Sequence, residues 1–189
     1  MVVLEDKKIV LITPPHTASG NLHRALCGPE FGGAWAVGPT PDGAGYDHHV
    51  TKIAEGWKDF TVAMVVRHPL DRMIGLYEHH LELSRESGWN EIPWWLFVAQ
   101  AISAHPDLSW FYRTTISQLS RGVDVDVILK FETLAADLEE KLGLKVSMPP
   151  GWTEGRCWDS FYAQAGPCCQ VEWWANEDMQ NYGYSSRLP

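Results

Sequence analysis

Positive charge is scarce in this 189-residue chain: 15 Lys and Arg stand against 24 Asp and Glu, for a formal net charge of −9. A general nucleic-acid surface needs clustered basic residues, so no nucleic-acid partner is expected and any anionic ligand has to be bound locally. Long apolar runs are lacking too. No stretch approaches the roughly 20 residues of a membrane span. The charged start Met1-Val2-Val3-Leu4-Glu5-Asp6-Lys7-Lys8 leads straight into a strand rather than into a signal-peptide core. A soluble, cytoplasmic protein with no membrane partner is the expectation.

Cysteine is also sparse. Cys27, Cys157, Cys168 and Cys169 show neither C-x-x-C zinc spacing nor the density of a disulfide scaffold, so free thiols are expected. Repeats, low-complexity tracts and linker-like stretches are missing, which points to one domain over residues 1–189. Oligomeric state is left open. Tryptophan, by contrast, is plentiful at ten residues, and the pairs Trp94-Trp95 and Trp173-Trp174 read as buried or half-buried packing rather than ligand platforms.

Strand and helix patterns alternate along the chain, which favours an α/β protein with a parallel sheet. Lys8 to Thr13 and Phe60 to Val66 are near-continuous apolar runs of the kind that parallel strands buried on both faces produce. Val123 to Phe131 reads as a third strand. After Pro69, which suits a first helical turn, Leu70, Met73, Ile74, Tyr77 and Leu81 recur at helical spacing. Further helices are expected from Pro93 to about Ala104, after a Thr133 cap, and from Glu172 to Tyr182, with an additional element from Ser109 to Leu119. Tyr46 to Lys58 carries a weaker helical pattern, and Gly28 to Gly45 reads as irregular.

Two of these strands break into polar turn chemistry and then into a helix, at Thr13-Pro14-Pro15-His16-Thr17-Ala18-Ser19-Gly20-Asn21-Leu22 and at Arg67-His68-Pro69-Leu70-Asp71-Arg72. The first N–H groups of a helix have no intrahelical partner and sit at the positive end of its dipole, so such junctions receive phosphate or sulfate. Two of them imply a ligand with two anionic ends. The first loop lacks the Lys and paired glycines of G-x-x-x-x-G-K-[ST], which disfavours a kinase-like, magnesium-dependent nucleotide enzyme. An ordinary capped turn and surface ion pairs of Arg67 and Arg72 are the plain structural alternatives.

Pro15 to Leu22 resembles the P-[KR]-[TC]-[GA]-[ST]-[TS]-[ST]-L loop of the sulfotransferase superfamily, matching it at Thr17, Ala18, Ser19 and Leu22. His16 stands where that family usually has Lys, Gly20 where it has a hydroxyl residue, and Asn21 where it usually has Ser. Arg67 to Tyr77 is similar to the family's R-x-P-x-x-R-x-x-S-x-Y segment at Arg67, Pro69, Arg72 and Tyr77, with Gly75 in place of Ser. Ile128 to Leu134 resembles its R-[YF]-E-[DN]-L segment, and Glu177 to Tyr184 its closing D-x-x-x-[FY]-G-Y signature. Asp47-His48-His49-Val50 aligns with the H-x-H-V segment of carbohydrate sulfotransferases resembling the heparan 2-O type.

The resemblance implies a P-loop-like three-layer fold, with a central mainly parallel sheet flanked by helices. It also implies transfer of a sulfuryl group from 3′-phosphoadenosine 5′-phosphosulfate (PAPS) to a hydroxyl of a small-molecule or carbohydrate acceptor. By the same resemblance His16, Thr17, Ala18, Ser19, Gly20 and Asn21 hold the phosphosulfate. Arg67, with Gly75 and Arg156, lies at the 3′-phosphate. His49 is the base, with His48 and His16 as further catalytic candidates. A neutral His16 replaces a cation at the leaving phosphate, so activity is expected to be slower or favoured at lower pH than in relatives with Lys. A PAP- or PAPS-binding protein with little or no transfer activity is the alternative. No metal is expected, because the adjacent pairs His48-His49 and His79-His80 do not share a helix face.

Overall fold

The two apolar runs near the start and middle of the chain lie side by side in the structure, a computed structural model that describes residues 1–39, 46–47, 53–88, 90–106, 108–147, 161 and 165–186. Strand β2 (Ile9–Ile12) pairs in parallel with β6 (Thr61–Val66), and β6 pairs in parallel with β7 (Val127–Lys130). On the other side of β2 the direction reverses. The short β1 (Val2–Leu4) runs antiparallel to β2, and β3 (Ala34–Trp35) runs antiparallel to β1. The sheet order is therefore β3-β1-β2-β6-β7, a mixed five-stranded sheet.

The mixed sheet corrects the expectation of a mainly parallel one. Lys8 takes a left-handed conformation (φ 52°) after the turn Glu5–Lys7, which folds β1 straight back on β2. A reversal this tight needs no crossover helix, so no strand–helix alternation announces it. A second small ribbon pairs β4 (Gly38–Pro39) with β5 (Tyr46–Asp47), antiparallel.

Alternation of side chains across the sheet fixes its core. Val2, Leu4, Ile9, Leu11, Ala63, Val65 and Leu129 form one cluster with Leu22 and Leu26 of α1 (Ser19–Leu26) and Leu134 and Leu138 of α5 (Leu134–Leu142). Val3, Val10, Ile12, Met64 and Val66, of opposite parity, are buried as well. Burial on both faces is why β2 and β6 read as unbroken apolar runs. These elements belong to one of two compact units, Met1–Arg67 with Gln118–Glu154.

The other unit, His68–Ser117 with Gly155–Pro189, is helical where described. Helix α2 (Pro69–Ser87) begins with Pro at its first position and ends at Gly88, whose left-handed φ of 69° returns its N–H to the Ser84 carbonyl. Leu70, Met73, Ile74 and Leu76 pack with Trp94, Phe97, Val98 and Ala101 of α3 (Trp94–Ile102) and with Cys168 and Val171 of α6 (Ala165–Trp174). The expected tail helix is two helices, α6 and α7 (Asn176–Asn181).

Other local expectations are revised too. Ser109 to Leu119 resolves into a 3-10 turn, Trp110–Tyr112, and the short α4 (Ile116–Leu119). Tyr46 to Lys58 holds strand β5 and a 3-10 turn at Glu55–Trp57 rather than a helix among its described residues. Thr133 precedes α5 without a side-chain cap bond. Trp94 is buried, but Trp95 and Trp173 are exposed, against the expectation of packing. Cys27, Cys168 and Cys169 are free thiols, as expected. Among the described residues no helix is long and apolar enough to cross a membrane.

Candidate functional site

The loop from β2 to α1 is built around Pro14. Its carbonyl accepts both the Thr17 backbone N–H (3.1 Å) and the Thr17 hydroxyl (2.7 Å), and Thr17 is fully buried. The Thr17 side chain therefore closes the turn. On either side of it the backbone is left-handed, at His16 (φ 59°) and Ala18 (φ 79°). Neither is glycine, so each costs on the order of 1 kcal/mol. Alternation of φ sign is a feature of anion-binding nests, but the Thr17 N–H is taken by the Pro14 carbonyl, so an anion here would meet the N–H groups from Ala18 onward.

Helix α1 follows directly. Its first intrahelical bond runs from Leu22 N–H to the Ala18 carbonyl (3.0 Å), so the N–H groups of Ser19, Gly20 and Asn21 have no intrahelical acceptor. Among the described residues no side chain caps this end, and no acidic residue occupies the first turn. A Cβ added at Gly20 would meet nothing within 4 Å. His16, Ala18, Ser19 and Asn21 are half-buried and Gly20 is exposed.

Arg67 follows the last residue of β6, the strand parallel to β2. Its guanidinium Nη1 donates to the His16 carbonyl (3.2 Å) and its Cζ lies 4.2 Å from the centre of the Phe131 ring, just past β7. Arg67 is only 5 % exposed. The carboxyl ends of three parallel strands thus contribute the loop, the cation and the ring that supports the cation. In open α/β sheets this is the edge where ligands bind.

The remainder of the Arg67–Tyr77 segment lies in the helical unit and is structural in its visible contacts. His68 Nδ1 accepts the Leu70 N–H (3.2 Å) and its Nε2 is 3.2 Å from the Ser185 carbonyl, which places the proton on Nε2. Arg72, 2 % exposed, donates to the carbonyls of Thr114 (2.8 Å) and Phe111 (3.2 Å). Neither Arg67 nor Arg72 is at the surface, which removes the surface ion-pair alternative. Tyr77 donates to the Ile92 carbonyl (3.0 Å), and Gly75 is buried within α2.

Asp178, the acid of the closing signature, accepts the N–H groups of Ile116 (2.9 Å) and Ser117 (2.6 Å) at the start of α4. His48, His49 and Arg156 lie outside the described residues. Sequence reasoning missed the buried pair Thr13 and His23, whose Oγ1 and Nε2 are 3.1 Å apart and tie the end of β2 to α1. A histidine inside an otherwise apolar stripe was the available signal.

Burial pushes the Cys27 and Cys168 thiols up, so neither is a ready nucleophile at neutral pH. Among the described residues no group of three His, Cys, Asp or Glu side chains is placed to hold a metal ion. No protein-family model, curated protein or solved structure matches the chain.

Proposed function

We propose that the protein is a PAPS-dependent sulfotransferase on a P-loop-like fold, acting on a hydroxyl of an acceptor, with a carbohydrate favoured. The observation that carries the proposal is the Arg67–His16 hydrogen bond, which joins the two motif segments at the carboxyl edge of β2 and β6. Support also comes from the left-handed residues His16 and Ala18 leading into an uncapped helix start. Together these form a set of backbone and guanidinium donors, which fits a phosphate or sulfate.

PAPS when bound supplies the sulfuryl group. The N–H groups of residues 18–21 would hold its phosphosulfate, Arg67 the 3′-phosphate, and His16 would donate a hydrogen bond to the leaving phosphate oxygen. The acceptor oxygen gains the sulfur as the bond to the phosphate oxygen breaks, and the acceptor's proton goes to a base, for which His49 is the candidate.

His16 in place of the family's Lys and Gly75 in place of its Ser favour a second reading, a PAP-binding protein with little transfer activity. Radiolabelled PAPS separates the two. Slow transfer of label or release of sulfate, raised by His16→Lys, is expected of the enzyme. Nucleotide binding without either, in wild type and His16→Lys alike, would leave the binding protein.

A further inference from the structure

Trp173 is 77 % exposed, although it sits on α6, whose residues Cys168 and Val171 are buried in the core of the helical unit. A solvent-facing indole on an anchored helix offers a flat, rigid face on which a ligand can stack. Trp173 lines an open groove of about 580 Å³ together with the polar residues Glu172, Asn176, Gln180, Tyr184 and Ser186 and the apolar Cys169 and Met179. That volume is within the range of small-ligand sites.

The groove walls are held in place before any ligand arrives. Tyr184 N–H donates to the Met179 carbonyl (2.9 Å), and its ring stands edge-on to His68 at 5.3 Å between centroids. The Ser185 carbonyl is bonded to His68, and the Ser186 hydroxyl donates to Glu172 Oε2 (2.7 Å). Residues 184–186 are therefore held in place beside the groove, and a fixed wall reduces the ordering cost of binding.

The lining also defines the ligand. Asn176 and Gln180 stand one turn apart on α7 and share one hydrogen bond (3.4 Å), presenting amide donors and carbonyl acceptors together. Hydroxyl groups, which both donate and accept, match that mixture. An anion is disfavoured, because among the described residues no Lys or Arg lines the groove and Glu172 does.

We propose that this groove binds a neutral sugar, its C–H face stacked on Trp173 and its hydroxyls bonded to Asn176, Gln180 and Glu172. The site belongs to the helical unit and does not depend on the nucleotide proposal.

The test is saturation-transfer difference NMR on the full chain, without nucleotide, using cellobiose, lactose and N,N′-diacetylchitobiose. Tetramethylammonium chloride serves as the cation probe. At least one sugar should give saturable transfer on its ring C–H protons. Trp173→Ala should weaken it about tenfold or more, and Gln180→Ala several-fold, with unchanged circular dichroism. Absence of transfer from all three sugars, transfer untouched by Trp173→Ala, or binding of tetramethylammonium alone would overturn the proposal.

Discussion

At the scale of single residues, the loop before α1 carries strain that a glycine would relieve. Ala18 holds φ at 79° immediately before the helix. Ala18→Gly removes the left-handed penalty and gives back part of that gain as unfolded-chain entropy, for a net stabilisation of about 0.5–1 kcal/mol in urea unfolding. Two groups in the helical core respond to pH instead. Burial lowers the His80 pKa below its ordinary value, helped by the neighbouring His79, and His80 packs against Phe97 and Tyr112. As pH falls through about 6.5 the unfolded chain takes up a proton that folded His80 refuses until lower pH, so stability declines over that window. His80→Phe should flatten this acid slope when urea midpoints near neutrality and near pH 5 are compared. Burial pushes Tyr112 in the other direction, up to about 12, so its share of stability is lost as pH rises past about 10. Tyr112→Phe should remove that loss and cost little at neutral pH, because the buried hydroxyl has no hydrogen-bond partner among the described residues.

At the scale of elements, the outer edge of β7 is closed by α5. Asp137 accepts the Lys130 N–H (2.8 Å) and Lys141 donates to the Ile128 carbonyl (3.0 Å), while the two side chains pair with each other at 3.0 Å. Ile128 and Lys130 are two apart in the strand, so both backbone groups point the same way, and one ion pair covers the edge that would otherwise be open to another strand. Asp137→Ala should cost about 1–3 kcal/mol in urea unfolding. It should also introduce concentration-dependent association, visible by light scattering. None of this could be read from sequence, where Asp137 and Lys141 form an ordinary i, i+4 pair on a helix surface. The parallel strands were legible because burial on both faces leaves an unbroken apolar run. β1 and β3 were not, since three and two residues are too few to show a period. The αL conformations of His16 and Ala18 escaped for a different reason: histidine favours a positive φ only weakly and alanine not at all, so residue type alone does not announce them.

For the whole molecule, each of the two units has its own hydrophobic core, one around the mixed sheet and one around α2, α3 and α6. The segment from Arg67 to Tyr77 reads as one motif, yet its residues serve both units: Arg67 supports the loop of the sheet unit, whereas Arg72 and Tyr77 bond to carbonyls inside the helical one. Spacing alone cannot separate an arginine that braces a loop from one that braces a helical core, because both follow the same strand-to-helix turn. The division of labour nevertheless gives the nucleotide proposal a specific signature. If Arg67 serves the 3′-phosphate as well as the His16 carbonyl, its removal must act more on a ligand that carries that phosphate than on one that lacks it. The decisive measurement is calorimetric titration of 3′-phosphoadenosine 5′-phosphate and of adenosine 5′-monophosphate into the wild-type chain and Arg67→Ala. The expected result is saturable binding of the bisphosphate to the wild type, with preference over the monophosphate reduced about tenfold or more in the variant. Failure of the bisphosphate to bind, or a preference that survives Arg67→Ala unchanged, would contradict it.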